Sequence, residues 1–138
     1  MLEERSAGAI LFRESPNGKV YLLLNYPSGH WDFVKGNIEE GETLKQTVLR
    51  EISEETGITD VTFLDGFENR VEYHYQRDGS LVHKEVVFFL AKTSTEHVKI
   101  SHEHQGFIWL GYDEALEKLT YKTAQNLMKK VRELGFDT

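Results

Sequence analysis

Three glutamates, Glu51, Glu54 and Glu55, stand at i, i+3 and i+4 in the run Arg50-Glu51-Ile52-Ser53-Glu54-Glu55. On a helix these positions share one face, a turn apart. Like charges held that close repel, so the helix gains from them only if a cation lies among them. Carboxylate oxygens are hard ligands suited to Mg²⁺ or Mn²⁺, and such sites usually hold the ion together with substrate phosphates. An isolated E-x-x-E-E would be read as solvated helix surface. Here it has company: Gly36 and Glu42 precede it and Gly57 follows it at short range.

These residues need a helix to carry them. The helix should begin near Thr43, with Leu44, Val48, Leu49 and Ile52 at helical spacing facing the core, and Gly57 should stop it. Upstream, residues 6–13 and 20–26 read as strands around the turn Ser15-Pro16-Asn17-Gly18, since Asn-Gly between apolar runs signals a hairpin. Residues 30–35 (HWDFVK) read as a short extended piece leading into the acidic segment. Downstream, residues 59–76 and 81–92 form a second expected hairpin about the turn 77–80, and 107–110 a short strand. Helices are expected over 112–119 and 121–134. Strands outnumber helices, with one helix mid-chain and two at the end, which points to a mixed sheet covered on both sides.

Composition bounds the function. The chain has 138 residues, 39% hydrophobic and 28% charged, which fits one soluble domain over 1–138. Sixteen Lys plus Arg against 23 Asp plus Glu give a net charge of -7, which argues against a protein built to grip a nucleic-acid backbone. An anionic small molecule remains open, because bound metal ions reverse the local field. Without cysteine there is no disulfide, thiolate catalysis or Cys-ligated zinc, and a reducing compartment is compatible. The start MLEERSAGAILFRE reads as neither signal peptide nor membrane anchor, so a cytoplasmic protein is expected; a monomer is the expected state.

The full spacing, Gly36, five residues, Glu42, seven residues, then Arg50-Glu51-Ile52-Ser53-Glu54-Glu55-Thr56-Gly57-Ile58, resembles the Nudix box G-x5-E-x7-R-E-U-x-E-E-x-G-U, with U aliphatic. Every fixed position of the box over 36–58 is met. The resemblance implies an α/β/α sandwich with a mixed central sheet and metal-dependent hydrolysis of a nucleoside diphosphate derivative. It implies Glu51, Glu54 and Glu55 as metal ligands with the Gly36 carbonyl, and Glu42, Arg50 and Gly57 as residues that hold the motif's shape. Chemistry agrees: a phosphoanhydride is densely negative, and its hydrolysis needs that charge neutralised and a water activated.

Outside the box, His30-Trp31-Asp32-Phe33-Val34-Lys35, Lys84-Glu85-Val86-Val87-Phe88-Phe89-Leu90-Ala91 and Ser101-His102-Glu103-His104-Gln105-Gly106-Phe107-Ile108-Trp109 resemble the asymmetric diadenosine tetraphosphate (Ap4A) hydrolases of the animal and archaeal branch. That resemblance implies cleavage of Ap4A to ATP and AMP. His30, Lys35 and Lys84 would contact the phosphates, Tyr75 and Tyr121 would stack on adenine, and Glu103 would serve as metal ligand or as base toward water. Glu54 is the box acid expected to act with it. The rival substrates are (d)NTPs and the 5′-triphosphate end of RNA, and a rival of another class is a non-catalytic nucleotide sensor, which should lack one of the box acids. Val34 stands where the family often has proline, a lost rigid φ but no lost ligand. Trp31 and Trp109 read as packing residues, and His102 and His104 as solvated loop residues.

Overall fold

The computed structural model describes residues 1–138. Seven strands and three helices follow in the order β1 (Leu2–Ser15), β2 (Gly18–Asn25), β3 (Trp31–Asp32), β4 (Val34–Asn37), α1 (Leu44–Thr56), β5 (Thr62–Arg77), β6 (Ser80–Lys92), β7 (Gly106–Leu110), α2 (Tyr112–Lys118) and α3 (Lys122–Glu133). All strands join one sheet with the backbone order β3-β2-β1-β6-β5, β4 adding to β1 and β7 to β2. Only β1 and β6 run parallel, from Leu2↔Val82 to Phe12↔Lys92, so the sheet is mixed, as the sequence implied. No helix is long and apolar enough to cross a membrane.

Strands at the centre of a sheet covered on both faces need apolar residues at successive positions rather than at alternate ones. The run Ala7 to Phe12 in β1 and the run Val86 to Ala91 in β6 meet that need and are buried throughout. One face carries Ala7, Ala9, Leu11, Leu22, Leu24, Val87 and Phe89 against Val48 and Ile52 of α1. The other carries Ile10, Phe12, Leu23, Val86, Phe88 and Leu90 against Ala115 of α2 and Ala124, Leu127, Met128 and Val131 of α3. The result is the expected α/β/α sandwich.

The sheet forks where the site will lie. β1 and β2 leave their turn paired, from Ser15↔Gly18 to Phe12↔Tyr21. They then separate, and the next stretch of chain fills the gap: β3 bonds to β2 (Leu24↔Asp32) and β4 to β1 (Ala9↔Val34). The expected extended piece over 30–35 is therefore two strands that change partner at Phe33, a switch that depends on the distant β1 and β2. In the first turn Gly18 takes the positive φ of 118°, and in the second Asp78 and Gly79 both do.

Helix α1 starts on a capping box: Gln46 N–H donates to Thr43 Oγ1 at 3.1 Å, and Thr43 N–H donates to Gln46 Oε1 at 2.9 Å. It ends at Gly57, whose φ of 77° no β-carbon tolerates well and whose N–H donates to Ser53 O at 2.9 Å. Val48 and Ile52 face the core and Leu44 lies beside it. Leu49 does not: it is 39% exposed, because one residue of rotation past Val48 carries it off the apolar stripe.

Candidate active site

The exposed face of α1 and the loop before β7 enclose a cavity of about 460 Å³ lined by Glu51, Glu54, Glu55, Ser101, His102 and Glu103. The loop is fastened to the helix end by backbone bonds, Lys99 N–H to Thr56 O at 2.9 Å and Ser101 N–H to Glu55 O at 3.1 Å. Three acids of one helix thus meet a fourth, Glu103, from far along the chain in one hollow. Arg50 organises the approach. Its Nε and Nη2 fork onto Glu42 at 2.7 and 3.0 Å, Nη2 also reaches Asn37 O at 2.9 Å, and Nη1 touches Glu51 at 2.7 Å and Glu54 at 3.2 Å. The guanidinium beside it lowers the Glu42 carboxyl to about 2. Glu42 and Arg50 therefore tie the loop after β4 to the helix.

Gly36 in β4 sits directly against Glu51: a β-carbon there would fall inside the Glu51 carboxylate. Burial pushes the Glu51 carboxyl up, against the pull of Arg50. Glu55 is only 5% exposed, and burial first, then the charges of Glu51, Glu103 and Glu54, raises it to about 9. Its Oε2 is buried without a partner. A buried carboxylate oxygen left unbonded is costly, and a hard dication is the ligand that would relieve both it and the repulsion among the four acids. The donor set fits such an ion. The acids are not gathered into a closed cage of three or more ligands, since Arg50 draws Glu51 and Glu54 toward itself.

A second cavity, about 530 Å³, is lined by His30, Lys35, Lys84, Tyr75 and Tyr121, the five residues named from sequence as substrate contacts, together with Asp32, Tyr73, Lys122 and Thr123. The fork supplies His30 and Lys35. The β5–β6 hairpin supplies Tyr73, Tyr75 and Lys84, with Tyr73 paired to Lys84 across the strands. Thr120 ties the start of α3 to β3 through Trp31 N–H to Thr120 Oγ1 at 2.9 Å, which brings Tyr121 to the rim, 52% exposed. Lys35 Nζ bonds Asp32 at 3.0 Å, and although burial works against its charge, Asp32 holds its pKa above the usual lysine value. Lys84 is lowered, by burial and then by repulsion from Lys35. Tyr75 donates to Glu4 at 2.5 Å. Two lysines crowded this closely, with flat tyrosine faces beside them, suit a polyanion attached to an aromatic base.

Some of this geometry had no sequence signal. His104, read as a solvated loop residue, is buried, its Nε2 3.5 Å from Glu55 Oε1 and its Nδ1 3.1 Å from Ser101 Oγ. Asp32 and Tyr26 were not singled out either. Asp32 is a buried acid at the end of β3, and its contact with Lys35 forms across the change of partner between β3 and β4. Tyr26 looked like a strand end; its hydroxyl, kept protonated by burial, donates to Phe33 O at 2.6 Å. Trp31 and Trp109 pack against the two apolar clusters, as expected.

Comparison with known proteins agrees with this geometry. A family profile described as the NUDIX domain matches residues 2–131. An asymmetrical bis(5′-nucleosyl)-tetraphosphatase of Sus scrofa is 35% identical over 91% of each chain, and one of Caenorhabditis elegans is 30% identical over 91% of this chain and 92% of its own. Among solved structures, a binary complex of a C. elegans Ap4A hydrolase superposes with a TM-score of 0.82 at 29% identity, covering 95% of this chain and 96% of the other. Nudix hydrolases generally need divalent metal ions, in keeping with the carboxylate set described above. The match along nearly the whole length, with the box intact on α1, places this chain in the Nudix family as a hydrolase.

Proposed function

We propose that the protein, acting as one catalytic unit over residues 1–138, hydrolyses Ap4A to ATP and AMP with Mg²⁺, for which Mn²⁺ can substitute. The observation that carries this reading is the lining of the second cavity: all five residues expected to grip a base-capped polyphosphate line it together. The similarity to asymmetrical tetraphosphatases over most of both chains supports it further.

Glu51, Glu54, Glu55 and Glu103, with the Gly36 carbonyl, would hold the metal. A bound divalent ion supplies charge neutralisation on phosphate oxygens and makes water easier to deprotonate. Glu54, 59% exposed at its side chain, and Glu103 are the acids open to solvent, so the proton lost by the attacking water goes to one of these two and not to buried Glu55. His30, Lys35 and Lys84 bind the phosphate chain, with Asp32 holding Lys35 in place. Tyr121 and Tyr75 stack on adenine. Arg50, Glu42 and Gly57 keep loop and helix in register.

A substrate panel at fixed Mg²⁺ tests the reading. Ap4A should have the highest kcat/KM, well above ATP, dGTP and a 5′-triphosphorylated RNA. A mononucleotide or RNA end turned over faster would overturn the substrate while leaving the hydrolase class intact.

A further inference from the structure

Two loops meet between the cavities. The Tyr26–His30 loop carries His30 to the second cavity, and the 101–105 loop carries Glu103 to the first. Gln105 stitches them together: its N–H donates to Asn25 O at 2.8 Å and its Nε2 to Pro27 O at 2.6 Å. Along this seam runs a column of rings. Tyr121 tilts against His30 at 5.2 Å, His30 stacks on Tyr26 at 4.7 Å and 5°, and Tyr26 meets His104 edge-on at 4.7 Å and 73°. The column ends at Glu55, with His104 Nε2 3.5 Å from Oε1. His104 lines neither cavity.

We infer that His104 is a positioning residue for Glu55: wedged between the Tyr26 ring, Ser101 and the helix, it holds that acid in the one orientation that serves a divalent ion. The inference rests on the metal reading above. Glu55 makes no side-chain hydrogen bond: its Oε2 is buried without a partner, and the His104 imidazole lies 3.5 Å from Oε1. A buried carboxylate next to a loop can swing; a ring fixed by Ser101 Oγ on one nitrogen and by Tyr26 on its edge limits that swing. The rigidity comes from the column, because Tyr26 is itself pinned through its hydroxyl to Phe33 O. Neighbours that orient a metal ligand contribute about 10–100-fold to metal affinity.

The test is Mn²⁺ binding without nucleotide, followed by electron paramagnetic resonance of the free ion, on wild type, His104→Leu and His104→Gln, with KM for Ap4A measured at saturating metal. His104→Leu fills the space with an apolar side chain; its Mn²⁺ Kd should rise tenfold or more while KM stays within about twofold. His104→Gln, which restores a polar group toward Ser101 and Glu55, should recover part of the loss. A folded His104→Leu that binds Mn²⁺ within twofold of wild type overturns the inference. Should that variant not fold, Ser101→Ala, which frees the imidazole, is read the same way: a Kd within twofold of wild type overturns it. A wild type that binds no Mn²⁺ overturns the metal reading itself, and this inference with it.

Discussion

At the scale of single residues, the acids of α1 differ in what their surroundings do to them. Glu55 carries the largest consequence. Its carboxyl titrates near 9 when folded and near the ordinary glutamate value when unfolded, so between those pH values the folded metal-free chain binds the extra proton. Stability from this group is full at low pH and is lost as pH rises toward 9. The melting temperature of metal-free protein should therefore fall from pH 5 to pH 9, and Glu55→Gln should flatten that slope. The same proton must leave when a cation binds, so calorimetry at pH 7.5 in buffers of different ionisation enthalpy should show Mg²⁺ uptake releasing close to one proton. Release of none would show that Glu55 is not a ligand. Glu54 makes a different prediction. It is exposed and contributes nothing to the core, so Glu54→Gln should leave the melting temperature near wild type and lower kcat by about 10²–10⁴-fold, the range of a lost acid–base group. Near-wild-type turnover would remove Glu54 from the metal and proton chemistry.

At the scale of elements, α1 was the most legible part of the chain because its signals are local. Thr43 and Gly57 mark the ends by side-chain and φ requirements that act within a few residues, and Val48 and Ile52 give the buried stripe. The fork in the sheet was not legible. Whether residues 30–37 form one strand or two depends on which of β1 and β2 each half can reach, and no local pattern at Phe33 encodes that. For the same reason buried His104 looked like loop surface: its burial comes from Tyr26 and the end of α1, far away in sequence. Two glycine substitutions separate shape from chemistry here. Gly57→Ala must place a β-carbon at φ 77° and should cost about 1–2 kcal/mol of stability. Gly36→Ala drives a methyl into the Glu51 carboxylate; overpacking of this kind costs about 1–3 kcal/mol. Its larger effect should be on Mg²⁺ affinity, because the displaced group is a proposed ligand. Denaturant titration and metal calorimetry on the two variants distinguish the cases: both lose stability, and only Gly36→Ala should lose metal affinity disproportionately.

At the scale of the whole molecule, a chain of net charge -7 is asked to accept a polyanion. The cavities resolve this by partition. The acids sit in one hollow, where a cation can reverse their field, and Lys35, Lys84 and Lys122 sit in the other. The acids of α1 were nameable from a spaced motif, and the residues of the second hollow only from a looser family resemblance; that the two sets form two hollows, joined by a column of rings, is a property of the folded sheet alone. The proposed function requires that Ap4A, with its metal among the acids and its phosphates and base in the other hollow, be cut asymmetrically. Incubation of purified protein with Ap4A and Mg²⁺, with products separated by anion-exchange chromatography, tests this most directly. The expected products are equimolar ATP and AMP, and none without a divalent metal; two ADP per Ap4A, or cleavage that persists in excess EDTA, would contradict the proposed function.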